Sequence, residues 1–322
     1  MNQNQNNHHD LSLNSVSSPK DPITTFQNAS GSIPYGMTND YMFRAVLQSN
    51  NKALRGLVCA LLHLSEDKIK SVKITNPIIL GESVENKEFR LDINLLLNDS
   101  TKVNLEMQVA NKLNWDKRSV IYLCRSFDSL NHGQDYTEAN PVIHIGFLDY
   151  TLFDEFPEFY ATYKLLNVKN HQIYSDSLTL SVVNLSRIDL ATEEDKQYHI
   201  DHWAMLFKAT TWEELKMLAA DNEYLSEASN TMYLMSADER IRKQCLDREE
   251  YYQDLRSYER AIAEMNDVIA QKDSALAQKD DTIAQQDSAL AQKDNTIAQQ
   301  ESQIQQLIAE INILKNNIPL TP

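Results

Sequence analysis

Two short segments hold the residues whose types and spacing could do chemistry. Residues 89–97 read FRLDINLLL and residues 102–109 read KVNLEMQV, both alternating with period two. Successive strand side chains point to opposite faces, so Leu91, Ile93, Leu95 and Leu97 share one face and Asp92 lies on the other. In the second segment Val103, Leu105, Met107 and Val109 oppose Asn104, Glu106 and Gln108. Two carboxylates projecting from one sheet face are hard oxygen ligands of the kind Mg2+ or Mn2+ takes, with positions left for water and a phosphate oxygen. A cation so held polarises a phosphodiester and lowers the pKa of an attacking water. A wet sheet face without chemistry has the same alternation, and the pattern alone does not separate the two.

The site depends on register. If both apolar rows line one core, facing partners have position numbers that sum to an even value. That needs an odd loop within the turn-forming NDST of residues 98–101, such as Asp99-Ser100-Thr101, or a bulge. A plain two-residue turn puts Asp92 and Glu106 on opposite faces and removes the site.

Other elements must position this hairpin. A helix starts near Met37, with Thr38-Asn39-Asp40 offering cap chemistry, and a second over residues 52–63 is apolar on most sides and should sit against a sheet. Residues 69–80 read as an irregular strand region containing Pro77. Residues 114–129 place Val120, Ile121, Leu123, Cys124 and Phe127 at helical spacing, a helix returning across the sheet and stopping near His132-Gly133. Arg118 and Tyr122, one turn apart on it, suit either a phosphate contact or core-edge packing. Strands are expected at residues 141–150 and 177–185, which makes the domain α/β with a mixed sheet. Beyond residue 192 the chain reads as helical, with Thr211-Trp212-Glu213-Glu214 in capping-box form.

From Arg240 no Gly or Pro interrupts until Pro319, and Ile262, Ile269, Leu276, Ile283, Leu290, Ile297, Ile304 and Ile311 recur every seventh residue. Such heptads specify a coiled coil, yet the second seam position is filled by Asp273, Asp280, Asp287, Asp294 and Glu301. The expectation is a weak homo-oligomer or a pairing with another coiled-coil protein; a mostly solvated helix is the alternative. The expected divisions are a disordered polar segment over 1–34, the α/β domain over 35–190, its helical extension over 191–248, the coiled coil over 249–318 and a tail over 319–322.

Several function classes are excluded or disfavoured. Six glycines form no phosphate-cradling loop, and no G-x-S-x-G motif is present. His8-His9 reads as tail, and His199-Ile200-Asp201-His202 lacks further zinc ligands and reads as a helix start. Cys59, Cys124 and Cys245 form no C-x-x-C pair, and no apolar run suits a signal or a membrane span, so a cytoplasmic protein with no membrane partner is expected. The net charge of −16 argues against a protein that coats nucleic acid; residues 250–322 carry −6 of it and the rest −10, so any DNA groove must be a local basic patch.

Thr38-Asn39-Asp40-Tyr41-x-Phe43, Arg90-Leu91-Asp92-Ile93, Asn104-Leu105-Glu106-Met107-Gln108, Gly133-x-x-Tyr136 and Asn140-Pro141-Val142-Ile143-x-Ile145 together resemble the PD-(D/E)xK nuclease family transposases, also called the Rpn family of recombination-promoting nucleases. The resemblance covers about residues 37–248. It implies a restriction-endonuclease-like mixed sheet flanked by helices, with Asp92 and Glu106 as metal ligands for Mg2+ or Mn2+ and DNA as the substrate. Gln108 stands where the wider superfamily has a lysine, and it can position water but brings no positive charge. Leu91 replaces the superfamily's proline. Asp40 matches an acidic residue that can approach the metal, and helix capping is its other reading. The implied activity is a metal-dependent endonuclease linked to recombination or a mobile element. The rival is a catalytically weak or inactive nuclease fold acting as a coiled-coil interaction module.

Overall fold

The computed structural model describes residues 26–78, 80, 92–128, 130 and 132–316. The chain divides into two compact units, Met1–Gln253 and Asp254–Pro322. In the first, α1 (Asp40–Ser49) starts where Asn39 accepts the N–H groups of Tyr41 at 3.1 Å and Met42 at 3.3 Å, and Asn50 likewise caps α2 (Asn51–Leu61) through Ala53 at 3.0 Å. The sheet comprises β1 (Val72–Ile74), β2 (Ile93–Leu97), β3 (Thr101–Gln108), β4 (Val142–Leu148), β5 (Tyr160–Leu166) and β6 (Ile173–Asn184), in the order β1-β2-β3-β4-β6-β5. It is mixed: β3, β4 and β6 run parallel, and the other pairs are antiparallel. The crossover from β3 to β4 is α3 (Trp115–Phe127). Four helices follow, α4 (Glu193–Gln197), α5 (Ile200–Lys208), α6 (Trp212–Ala219) and α7 (Glu223–Ala237), and then α8 (Glu239–Asn316).

The hairpin has the register the site requires. Ile93 pairs with Leu105, Leu95 with Val103 and Leu97 with Thr101, so the sums are even and the loop is the three residues Asn98-Asp99-Ser100. Asn98 (φ 52°) and Asp99 (φ 56°) turn the chain in the left-handed region, which these two side chains tolerate better than most. Asn98 Oδ1 fixes the turn by accepting from Lys70 N at 2.7 Å. On the apolar side Leu105 faces Ile145 and Met107 faces Phe147, and Phe147 packs edge-on to Phe207 of α5 and beside Phe43 of α1 with centroids 5.1 and 5.5 Å away. On the polar side Asn104, Glu106 and Gln108 face His144, Gly146 and Leu148.

Three expectations change. The Asn/Gln/Ser-rich segment expected to be disordered through residue 34 joins the core from Phe26 onward: Phe26 is buried, Ile33 N donates to Thr210 O at 2.8 Å, and Ser32 bridges Thr211. Backbone pairing does not depend on composition, and Phe26 and Ala29 are buried in the main apolar cluster with Ile33 and Tyr35 packed against it; residues 1–25 lie outside the described residues, as do Phe89, Arg90 and Leu91. Helix α2 sits against the sheet as expected, at β1 and through Tyr160 of β5, whose hydroxyl donates to Leu61 O at 2.5 Å, and it also packs on α7 and α1, with Gly56 so close to Tyr224 that a Cβ would lie 2.3 Å from it. The buried stripe of α3 is Trp115, Ser119 and Leu123, while Val120 and Ile121 are about half exposed. Strand β5 was not expected; it is an edge strand exposed on both faces from Thr162 onward, and such a strand carries no strong apolar alternation.

Helices α5 to α7 share the main apolar cluster with α1, α2 and the sheet, and the first unit runs through Gln253. In the second unit the residues of α8 form one helix on which the heptad Ile and Leu side chains from Ile262 to Ile311 are about half exposed. Among the described residues no helix is long and apolar enough to cross a membrane.

Candidate active site

Asp92 enters the sheet under tight backbone control. Its carbonyl oxygen accepts from Arg44 Nη1 and from Asn76 Nδ2, the latter at 2.9 Å. Arg44, fully buried on α1, also donates to Gln48 Oε1 at 3.0 Å; burial pulls it down to about 10, which leaves it charged at neutral pH. The β2–β3 register carried one residue beyond Ile93↔Leu105 sets Asp92 opposite Glu106. Their exposures are 8% and 3%, low for two carboxylates side by side.

That proximity has an electrostatic signature. Burial and the Asp92 carboxylate push Glu106 up to about 8, against the opposing pull of Arg118 and Lys112. Arg118 Nη2 lies 2.6 Å from Glu106 Oε1, and its guanidinium stacks over Tyr122 at 5.1 Å. Glu106 Oε2 has no hydrogen-bond partner and stands 3.7 Å from His144 Nε2. Burial and Arg118 push His144 down to about 3, so this imidazole is neutral at any physiological pH. Trp115 stacks on it with centroids 5.5 Å apart. Beside them, burial and Glu106 raise the Tyr150 hydroxyl to about 12.

Buried polar atoms are normally hydrogen-bonded. Most of the described buried side-chain atoms that lack a partner gather here: Glu106 Oε2, both His144 nitrogens, Trp115 Nε1, Arg118 Nε, Tyr150 Oη and Asn104 Oδ1. A divalent cation fits this chemistry, because it favours the ionised form of both carboxylates and removes the repulsion that raises Glu106. Among the described residues no group of three or more His, Cys, Asp or Glu side chains is placed to hold a metal ion. The protein ligands on offer are therefore Asp92 and Glu106, and a Mg2+-like ion that keeps several waters suits such a pair.

Gln108 lies on the same face as Glu106, and its Nε2 donates to Ala110 O at 3.1 Å, which orients the amide oxygen as an acceptor. Asp40 is engaged elsewhere. Both its oxygens are taken by Arg248 of α8, and Tyr252 Oη donates to one of them at 2.8 Å. Nor does Asp40 cap α1, since Asn39 does. His199 begins α5 without a side-chain cap bond, and no metal group forms around it among the described residues.

His144, Trp115 and Tyr150 were not singled out in the sequence. His144 could have been, as the one polar side chain in the run VIHIGFL of β4. Trp115 closes the site from above Gly146, where an added Cβ would come within 2.1 Å of the indole. Gly146→Ala is therefore expected to lower stability by about 1–3 kcal/mol and to displace the indole. Thermal melting and tryptophan fluorescence check this; an unchanged melt and spectrum would contradict the packing.

No curated protein and no solved structure matches the chain. One family's sequence model, described as PD-(D/E)XK nuclease family transposase, matches residues 37–262 and so includes every site residue named above. With most of its length covered, the chain belongs to the PD-(D/E)XK nuclease family transposases.

Proposed function

We propose that this chain is a metal-dependent DNA endonuclease that hydrolyses phosphodiester bonds in recombination or in the life of a mobile element. The observation that carries this reading is the buried Asp92–Glu106 pair on one sheet face, with Glu106 raised to about 8 beside an arginine. Asp92 and Glu106 hold Mg2+ or Mn2+. When bound, the cation polarises the scissile phosphate and makes the attacking water more acidic. The cytoplasm is part of the same proposal, in keeping with three free cysteines.

The chain's own groups then have distinct tasks. Gln108 accepts a hydrogen bond from the attacking water and orients it. Arg118 supplies the positive charge that Gln108 lacks: its guanidinium is fixed against Glu106 and stacked on Tyr122, and it faces charge developing on the phosphate oxygens. Neutral His144 and Trp115 wall the site against bulk water. Asp40 acts at one remove, through the ion pair that ties α1 to the start of α8, while Arg44 one turn along α1 holds the Asp92 backbone.

Supercoiled-plasmid nicking tests this division of labour. The wild-type chain should nick in Mg2+ or Mn2+ and not in EDTA. Arg118→Ala should be slower by about a hundredfold, and Arg118→Lys should recover part of the loss, since Lys keeps the charge without the fork. Equal rates for Arg118→Ala and wild type would remove Arg118 from the chemistry.

The half-exposed Ile and Leu heptads favour a second, compatible activity: association through α8 with another copy of this chain. Sedimentation should show a concentration-dependent homo-oligomer that Ile283→Asp with Leu290→Asp converts to monomer. A wild-type chain that stays monomeric at high concentration would assign those heptads to a different coiled-coil partner or to a solvated helix.

A further inference from the structure

The polar face of β2 and β3 continues past the two carboxylates into a pocket of about 450 Å3 between the sheet and the end of α3. Asn94, Leu96, Lys102 and Asn104 line it from the strands, Arg125 from α3 and Asn140 from the segment before β4. In a chain of net charge −16 this lining holds two cations and no carboxylate. Asn104 is the second observation. It is only 8% exposed and donates through Nδ2 to Asn94 Oδ1 at 2.6 Å, yet its own Oδ1 has no partner. A buried acceptor of this kind calls for an N–H donor from whatever fills the pocket.

Position narrows the ligand further. Asn94 faces Asn104 two residues along each strand from Asp92 and Glu106, a displacement of roughly 7 Å, close to one nucleotide step along a nucleic-acid backbone. Leu96 offers an apolar surface for a flat ring, the amides offer hydrogen bonds to its edge, and Arg125 is exposed at the rim.

We propose that this pocket receives one unstacked nucleobase of the substrate strand, next to the phosphate held at Asp92 and Glu106. The base places an exocyclic amine on Asn104 Oδ1, and Arg125 with Lys102 attracts the flanking phosphate. The inference rests on the nuclease reading for the location of the scissile phosphate, and it adds a preference for bases that carry an amine over thymine.

The test is fluorescence anisotropy of the full chain, in Ca2+ buffer, with labelled oligothymidine that carries a single dA, dC or dG, against the all-dT strand. The amine-bearing strands should bind about five- to tenfold more tightly. Asn104→Leu, shown to be folded by circular dichroism and still binding all-dT as the wild type does, should erase the difference, and Arg125→Gln should weaken all strands alike while keeping the ranking. Equal binding of the four strands by the wild type, or a ranking that survives Asn104→Leu, overturns the proposal. Nicking in Mg2+ without base preference would leave the nuclease and remove the pocket's role; base-selective binding without nicking would do the reverse.

Discussion

Glu106→Gln should melt at a higher temperature than the wild type when both are in EDTA at pH 8. The wild-type carboxyl ordinarily titrates near 4.5 and is raised to about 8 in the fold by burial and by Asp92. Below the lower value both folded and unfolded chains are protonated, and the site costs nothing. Between the two values the folded chain holds a proton that the unfolded chain has released, so stability falls as pH rises and levels off above the upper value. Glutamine keeps the shape without the charge and should remove this slope, a gain on the order of a few kcal/mol at pH 8 that vanishes near pH 4. Arg118, partly solvent-exposed, can still bond the amide oxygen. Added Mg2+ or Mn2+ should raise the wild-type melting temperature and leave Glu106→Gln nearly unmoved. Melts at several pH values, with and without metal, check each part; a wild type whose stability is flat from pH 5 to 8 would contradict the raised carboxyl.

Arg248→Met should cost about 3–5 kcal/mol, because it strands the Asp40 carboxylate in the core. Asp40 and Arg248 side chains are 8% and 11% exposed, and the arginine meets both oxygens of the carboxylate. Burial pulls the guanidinium down, but Asp40 more than offsets it and holds the group above its ordinary range. Tyr252 adds its hydroxyl to the same carboxylate, and Asn39 Nδ2 donates to Cys245 O at 2.9 Å, so this contact joins α1 to the first turns of α8 within one unit. Replacing both partners, Asp40→Leu with Arg248→Met, should recover most of the loss, since an apolar pair of similar volume avoids the desolvation of two charges. Denaturant unfolding of the two single variants and the double variant measures this; simple additivity would mean that the pair is not coupled.

How far the sequence revealed the site follows from what each residue's environment depends on. The hairpin carboxylates were legible because strand alternation and turn parity are local, and the observed pairing Ile93↔Leu105 meets the parity condition. The α1 cap at Asn39 and the capping box at Thr211 were legible for the same reason. The long-range contacts were not. Arg118 lies twelve residues beyond Glu106 and reaches it only because α3 crosses back over the polar sheet face, which also turned that helix's buried stripe from Val120 and Ile121 to Trp115 and Ser119. Asp40 looked like a cap or a metal neighbour, and its partner Arg248 is at the opposite end of the first unit in sequence. Trp115 and Gly146 fit each other through a crossover connection that no period in the sequence records.

The central claim is that Asp92 and Glu106 together make the chain a metal-dependent nuclease, and plasmid nicking by Asp92→Asn and Glu106→Gln beside the wild type tests it most directly. The account predicts nicking by the wild type in Mg2+ or Mn2+, none in EDTA, and at least about a thousandfold loss in each variant, with both variants folded by circular dichroism. A folded wild type that never cuts in either metal, or variants that cut as fast as the wild type, would contradict it.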